Sequence, residues 1–247
     1  MVNFDYTAAI TKIRISHMQQ TYVRGYTLFK IICVVLTLSF VFSPITSPLA
    51  QDASITLGAG TSAKANNDVI NVTALMKDRI LGNPDAPVTI IEYASMTCIH
   101  CANFHNNVYP AVKAELIETG KVKFILREFP LDGVALRASM MARCAPEDKF
   151  FGLVEVLFAN QKRWVGADDP VAAMSKLGKL AGLTDARIQA CLANTDLETA
   201  LLKTRQDASS TYDVRSTPTF VFNNGAEVES GVLQLDRIQK IVNKLTR

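Results

Sequence analysis

Apolar residues run almost unbroken through VTIIEYA, Val88 to Ala94, after the turn-forming stretch ILGNPDAP, and predict a buried strand. From Cys98 the period changes. Phe104, Val108, Val112 and Leu116 recur every four residues until Gly120, which predicts one helix. VKFILREF, Val122 to Phe129, predicts a second strand, stopped by Pro130. Strand, helix and strand with short joints make a βαβ unit, whose strands pair in parallel. The next stretch carries helix signals and no strand. Pro146 starts a helix through FFGLVEVLF, Asp169-Pro170 caps and starts another that Gly182 ends, and Thr195 with Glu198 forms a Thr-x-x-Glu capping box. About five short helices are expected between Leu131 and Tyr212. TFVFNNGAEVESG then predicts a hairpin about an Asn-Asn-Gly turn. The chain closes on an amphipathic helix with Leu235, Ile238, Val242 and Leu245 on one face.

The order is βαβ, an all-helical block, then ββα. The two flanking parts are too small for separate α/β domains, so they are expected to share one sheet: residues 79–131 and 213–247, with residues 132–212 inserted between them. Residues 51–78 are small and polar with little periodicity and read as a flexible linker.

The beginning of the chain changes the charge reading. Lys12, Arg14, Arg24 and Lys30 precede an uncharged run, IICVVLTLSFVF from Ile31 to Phe42, and Ser43, Pro44, Pro48 and Ala50 follow it. A basic start, a short apolar run and a small-residue exit describe an export signal over residues 1–50, and imply a periplasmic protein. An uncleaved anchor is the alternative, but a membrane span needs about 20 apolar residues. That segment holds four of the 26 Lys and Arg and one of the 23 Asp and Glu, so 22 of each remain after it. A near-neutral remainder removes the electrostatic support for a nucleic-acid partner.

Cys33 lies in the leader, and Cys98, Cys101, Cys144 and Cys191 lie beyond it. In an exported protein four cysteines suggest disulfides, with three pairings open. The Cys98-Ile99-His100-Cys101 unit could hold a metal, staple the fold or exchange electrons. Structural zinc takes four ligands, commonly as two pairs, and here only His100 and His105 stand near a single pair. No metal site is expected. A CxxC loop is too short to constrain the unfolded chain much, so it is a poor staple. It suits redox chemistry. Placed after a buried strand and at a helix start, Cys98 lies at the positive end of the helix dipole, which favours its thiolate and makes it the attacking sulfur. Cys101, one turn into the helix, would be buried and resolve the mixed disulfide. A protonated His100 would further favour the thiolate; the alternative is a solvent-facing loop residue. Glu92 is out of place in a buried strand unless it is paired or points to solvent.

Together VTIIEYASMTCIHCANFH, REFPLDG and STPTFVFNNG resemble the DsbA family of bacterial thiol–disulfide oxidoreductases, most closely its alphaproteobacterial branch, over about residues 79–247. The resemblance implies a thioredoxin fold with an inserted helical domain, Cys98 as nucleophile and Cys101 as resolving thiol. It implies that Thr217-Pro218 is the cis-proline loop that faces the CxxC and helps bind polypeptide. Glu92 matches the family's buried glutamate, which could relay a proton to or from Cys101. Ile99 departs from the usual proline between the cysteines, in a dipeptide that tunes potential and partner contacts. Cys144 and Cys191 read either as buried thiols or as a disulfide. The resemblance supports a non-catalytic bridge in the insert, worth on the order of 4 kcal/mol in the loop-entropy picture.

The first functional reading is a periplasmic dithiol oxidase. It would act, as a monomer and without a bound cofactor, on reduced or unfolded exported polypeptides, and a DsbB-type membrane partner would reoxidise it. The alternatives are a reductase or isomerase kept reduced by a membrane donor, and a non-enzymatic thioredoxin-like binding module using the groove at Pro218.

Overall fold

The computed structural model describes residues 70–247; the export-signal reading over 1–50, and the linker reading as far as residue 69, lie outside the described residues. Part of the stretch read as linker is built into the fold. Val72–Leu75 forms a helical turn, α1, whose cap Asn71 accepts the Ala74 N–H at 3.0 Å, and Leu75 is buried. Ile70, Val72 and Met76 pack beside Leu75 against the main core and hold the turn.

The strands are Ile80–Leu81 (β1), Val88–Ala94 (β2), Val122–Glu128 (β3), Thr219–Phe222 (β4) and Glu227–Ser230 (β5). They form one sheet in the order β1-β3-β2-β4-β5, with β2 and β3 parallel and the other neighbours antiparallel. The βαβ and ββα halves therefore share one sheet, and they join at the β2–β4 pair. β1 comes from the stretch read only as turn residues; two residues are too few for a periodic signal. Strand alternation sorts the faces of β2. Ile91 and Tyr93 pack with Ile125, Phe129, Ala208 and Val221 on one side. Ile90 and Ala94 face the main core with Phe104, Leu126 and Phe220, and the alternation puts Glu92 on that face too.

The run expected as one helix from Cys98 to Gly120 is broken. Ile99–Asn107 (α2) ends at Val108, Tyr109–Val112 (α3) follows, and Lys113–Ile117 widens into a π turn. Pro110 is the cause, since it lacks an N–H and its ring clashes with the carbonyl four residues back. Gly120, at φ +75°, closes the segment in a conformation glycine adopts without strain.

The inserted block has α-helices at Gly133–Arg143 (α4), Phe150–Ala159 (α5), Gln161–Val165 (α6), Pro170–Leu180 (α7), Asp185–Leu192 (α8) and Thr195–Tyr212 (α9). The last is long, and its N-cap is Asn194 rather than Thr195: the Asn194 side chain accepts the Leu197 N–H at 2.8 Å. Asn in the extended conformation caps as well as Thr, and moves the start back by one residue. Cys144 at the end of α4 is bonded to Cys191 in α8, with their Cα atoms 6.3 Å apart. Leu235–Leu245 (α10) completes the chain with Ile238, Ile241 and Val242 buried. No helix among the described residues is long and apolar enough to cross a membrane.

Candidate active site

The end of β2 delivers Ser95, Met96 and Thr97 into a turn, and Cys98 takes the N-cap position of α2 with extended backbone. The insert holds this turn from two directions. Thr97 Oγ1 donates to Asp132 Oδ2 at 2.6 Å, and Asp132 Oδ1 in turn accepts the Ala135 N–H to cap α4. Gln161, buried at the start of α6, donates its amide to the carbonyls of both Met96 and Cys98, each at 2.9 Å.

The two sulfurs of the CxxC differ sharply. Cys98 is half-buried and its thiol donates to the carbonyl of Thr217 at 3.3 Å, which brings the β4 approach loop onto the sulfur. The Thr217–Pro218 peptide is cis. Hydrogen bonding from Cys101 lowers the Cys98 pKa most, Thr217 and the backbone N–H groups of Cys101 and His100 add to it, and burial opposes it; the net value is about 5. Cys101 is fully buried, and burial first, then its bond to Cys98 and the charge of Glu92, pushes its pKa well up. A half-buried low-pKa sulfur beside a fully buried high-pKa one is the asymmetry that an attacking and a resolving thiol require.

Glu92 is fully buried, so it does not face solvent. Its Oε2 lies 2.8 Å from Nε2 of His105, whose side chain is 2% exposed. The ring of His105 stacks on Phe158 of α5, with centroids 4.4 Å apart, and stands 4.8 Å from the ring of Tyr109. Glu92 Oε1 and His105 Nδ1 are buried without a hydrogen-bond partner.

Cys98, Cys101 and the Thr217–Pro218 peptide thus gather at the start of α2 and Glu92 is buried against His105 further along it, while Ile99 and His100 are exposed, Ile99 to 66%. The contribution of His100 to the Cys98 thiolate is through its backbone N–H. Cys144 and Cys191 belong to the insert and not to this cluster. Gln161 was missed in the sequence, and His105 was weighed only as a metal ligand. His105 lies four residues after Cys101, on the same helix face. Gln161 lies three residues after Phe158 and three before Trp164, a spacing that marks a buried face.

Residues 75–244 match the family model described as Thioredoxin. A Rickettsia conorii protein with the provisional name protein-disulfide oxidoreductase is 30% identical over 168 residues, which cover 68% of this chain and 60% of the relative. The chain thus spans about 60% of the length of such Rickettsia relatives. Disulfide bond formation protein D of Bacillus subtilis is 26% identical, over 72% of this chain and 82% of its own. Among solved structures, alpha-DsbA1 of Wolbachia pipientis superposes with a TM-score of 0.63 at 27% identity, covering 69% of this chain and 91% of that one.

Proposed function

Because the chain belongs to the thioredoxin family, in its DsbA branch, we propose that it is an exported thiol–disulfide oxidoreductase working as a dithiol oxidase. It donates the Cys98–Cys101 disulfide to newly exported polypeptides, and a membrane partner of the DsbB type restores it. The observation that carries this reading is the asymmetry of the sulfurs, a Cys98 pKa of about 5 against a raised one at buried Cys101.

A client thiolate attacks Cys98, the Cys98–Cys101 bond breaks, and its electron pair goes to Cys101, which takes up a proton. A second client thiolate then attacks the client sulfur of the mixed disulfide, and Cys98 leaves as a thiolate. A low pKa makes it a good leaving group. Two client thiols are oxidised and the pair is reduced. The contact of the Thr217 carbonyl with the Cys98 sulfur supports a client backbone lying along the Pro218 loop during this exchange. Stabilising the Cys98 thiolate stabilises the reduced enzyme, which makes the disulfide a stronger oxidant and favours the oxidase over the reductase or isomerase.

The test is the reduction potential of the protein in glutathione buffers. A value near about −120 mV, where strong oxidants lie, is expected; one at about −200 mV or below would assign it to the reductase or isomerase reading. Cys98→Ser is expected to abolish oxidation of a reduced client, and full activity of that variant would leave only a binding module.

A further inference from the structure

The exchange above requires Cys101 to gain a proton when it leaves and to lose one when the pair is reoxidised. Cys101 is fully buried, and in the mixed disulfide the client covers the Cys98 and Pro218 side. The proton therefore needs a route that the client does not block.

Such a route lies along one face of α2. The charge of Glu92 is felt at Cys101, Glu92 is bonded to His105 at 2.8 Å, and His105 lies one turn beyond Cys101. Beyond His105 is an open cavity of about 380 Å³, walled by His105, Tyr109, Lys113, Glu118, Glu155 and Ala159 among others, and sharing no residue with the Cys98–Thr217–Pro218 side. Water reaches its wall: Lys113 and Glu155, paired at 3.3 Å, have side chains 36% and 38% exposed. The fields of Glu155, Glu92 and Glu118 all act on the buried Tyr109 hydroxyl, so the buried pair and the cavity form one electrostatic neighbourhood. The Glu92 Oε1 and His105 Nδ1 atoms, both without partners, are the two ends of the pair.

We propose that His105 carries protons between Glu92 and this cavity, so that Cys101 exchanges its proton with solvent through α2's far side while a client occupies the front. The inference rests on the redox reading above. When the disulfide opens, Nδ1 of His105 takes up a proton from the cavity, Nε2 passes one to the Glu92 carboxylate, and Glu92 hands it on to the Cys101 thiolate and is a carboxylate again. On reoxidation each transfer reverses as Cys101 gives up its proton and attacks. One proton enters and one leaves per cycle. His105 acts through Glu92 and is a positioning residue, not a catalytic one. The titratable and charged groups around it are Glu92, Cys101, Tyr109, Lys113, Glu118 and Glu155, and any of them can shape its pH profile.

The test uses the reduced full-length protein and oxidised glutathione, with both steps resolved by quenched-flow mass spectrometry. Cys98 first forms a mixed disulfide with glutathione; Cys101 then loses its proton and displaces the glutathione. His105→Phe removes the carrier. Ala159→Trp fills the cavity from an exposed position and leaves the Glu92 and His105 side chains themselves unchanged. Both variants are expected to form the mixed disulfide at the wild-type rate but to resolve it about tenfold more slowly, a modest loss for a proton-transfer step. With the route lost, the resolving rate should rise about tenfold per pH unit near neutrality, where the wild type is flatter. Wild-type resolving rates and pH profiles in both variants would overturn the proposal. A slow His105→Phe with an unaffected Ala159→Trp would overturn the exit through the cavity, and the proposal with it. Failure of the wild type to react with glutathione would instead remove the redox reading itself.

Discussion

Two buried carboxylates on the same face of the sheet have opposite surroundings. Glu92 in β2 and Glu128 in β3 sit two register positions apart, Glu92 opposite Leu126 and Ala94 opposite Glu128, and neither is exposed at all. Glu128 accepts two bonds from Arg143, at 2.5 and 2.7 Å, and Arg143 spends its other donors on the carbonyls of Leu75, Lys77 and Leu126 over the ring of Phe150. Glu92 has a single bond, to a histidine, and each partner keeps one atom without a bond. A fully satisfied charge pair is a rigid part of the frame. A half-satisfied one built from two groups that titrate is equipped to pass a proton. Distance from the CxxC is not the main difference between them; completeness is.

The largest effect should come from the saturated pair. Arg143→Met leaves the Glu128 carboxylate buried alone and is expected to destabilise the protein by about 3–5 kcal/mol in urea unfolding. The Cys98 alkylation profile should not move, because Arg143 makes no contact with the site. Glu92→Gln is expected to change stability by less than about 1 kcal/mol, since the amide can keep the bond to His105 without a buried charge. It should also make Cys101 easier to alkylate in a Cys98→Ser background, because the Glu92 charge raises the Cys101 pKa. If Glu92→Gln cost as much as Arg143→Met, the distinction would fail.

Next in size is the pH response of Cys98. Its alkylation should be half-maximal at about pH 5. A folded pKa below the unfolded one makes the unfolded chain bind more protons in between. The reduced protein should therefore gain stability as pH rises from about 5 to about 9, and lose that gain as pH falls back through 5. Denaturation of reduced protein across that range checks it, and the disulfide form should lack this contribution. The smallest effect expected is in Gln161→Leu, which strips a donor from the Cys98 and Met96 carbonyls and should raise the Cys98 alkylation midpoint by under about one pH unit.

Much of this was legible in the sequence because it is periodic or punctuated. The β2 and β3 runs, Gly120, Pro130 and the Asn-Asn-Gly turn each carry a local signal. The CxxC is legible because two cysteines at a helix start have few other uses. What escaped lies across the chain rather than along it. Glu92 could be flagged as a misfit, but its partner His105 is chosen by the packing of α2 against Phe158, thirteen residues and one crossover away from the acid. Arg143 and Glu128 each look like ordinary surface charges until α4 is folded back over β3. β1 is only two residues long, and the break at Pro110 was overridden in the reading by an apolar spacing that continued through it.

The amide of Gln161 joins a carbonyl on each side of Thr97 to the first residue of α6, so the inserted block and the sulfur-bearing turn cannot be treated as separate cassettes. Transplanting an insert between relatives would also transplant a handle on the Cys98 turn. Trimming the chain to a minimal sheet and its flanking helices would leave the Met96 carbonyl without this donor. Any redesign of the insert should expect to retune the Cys98 sulfur with it.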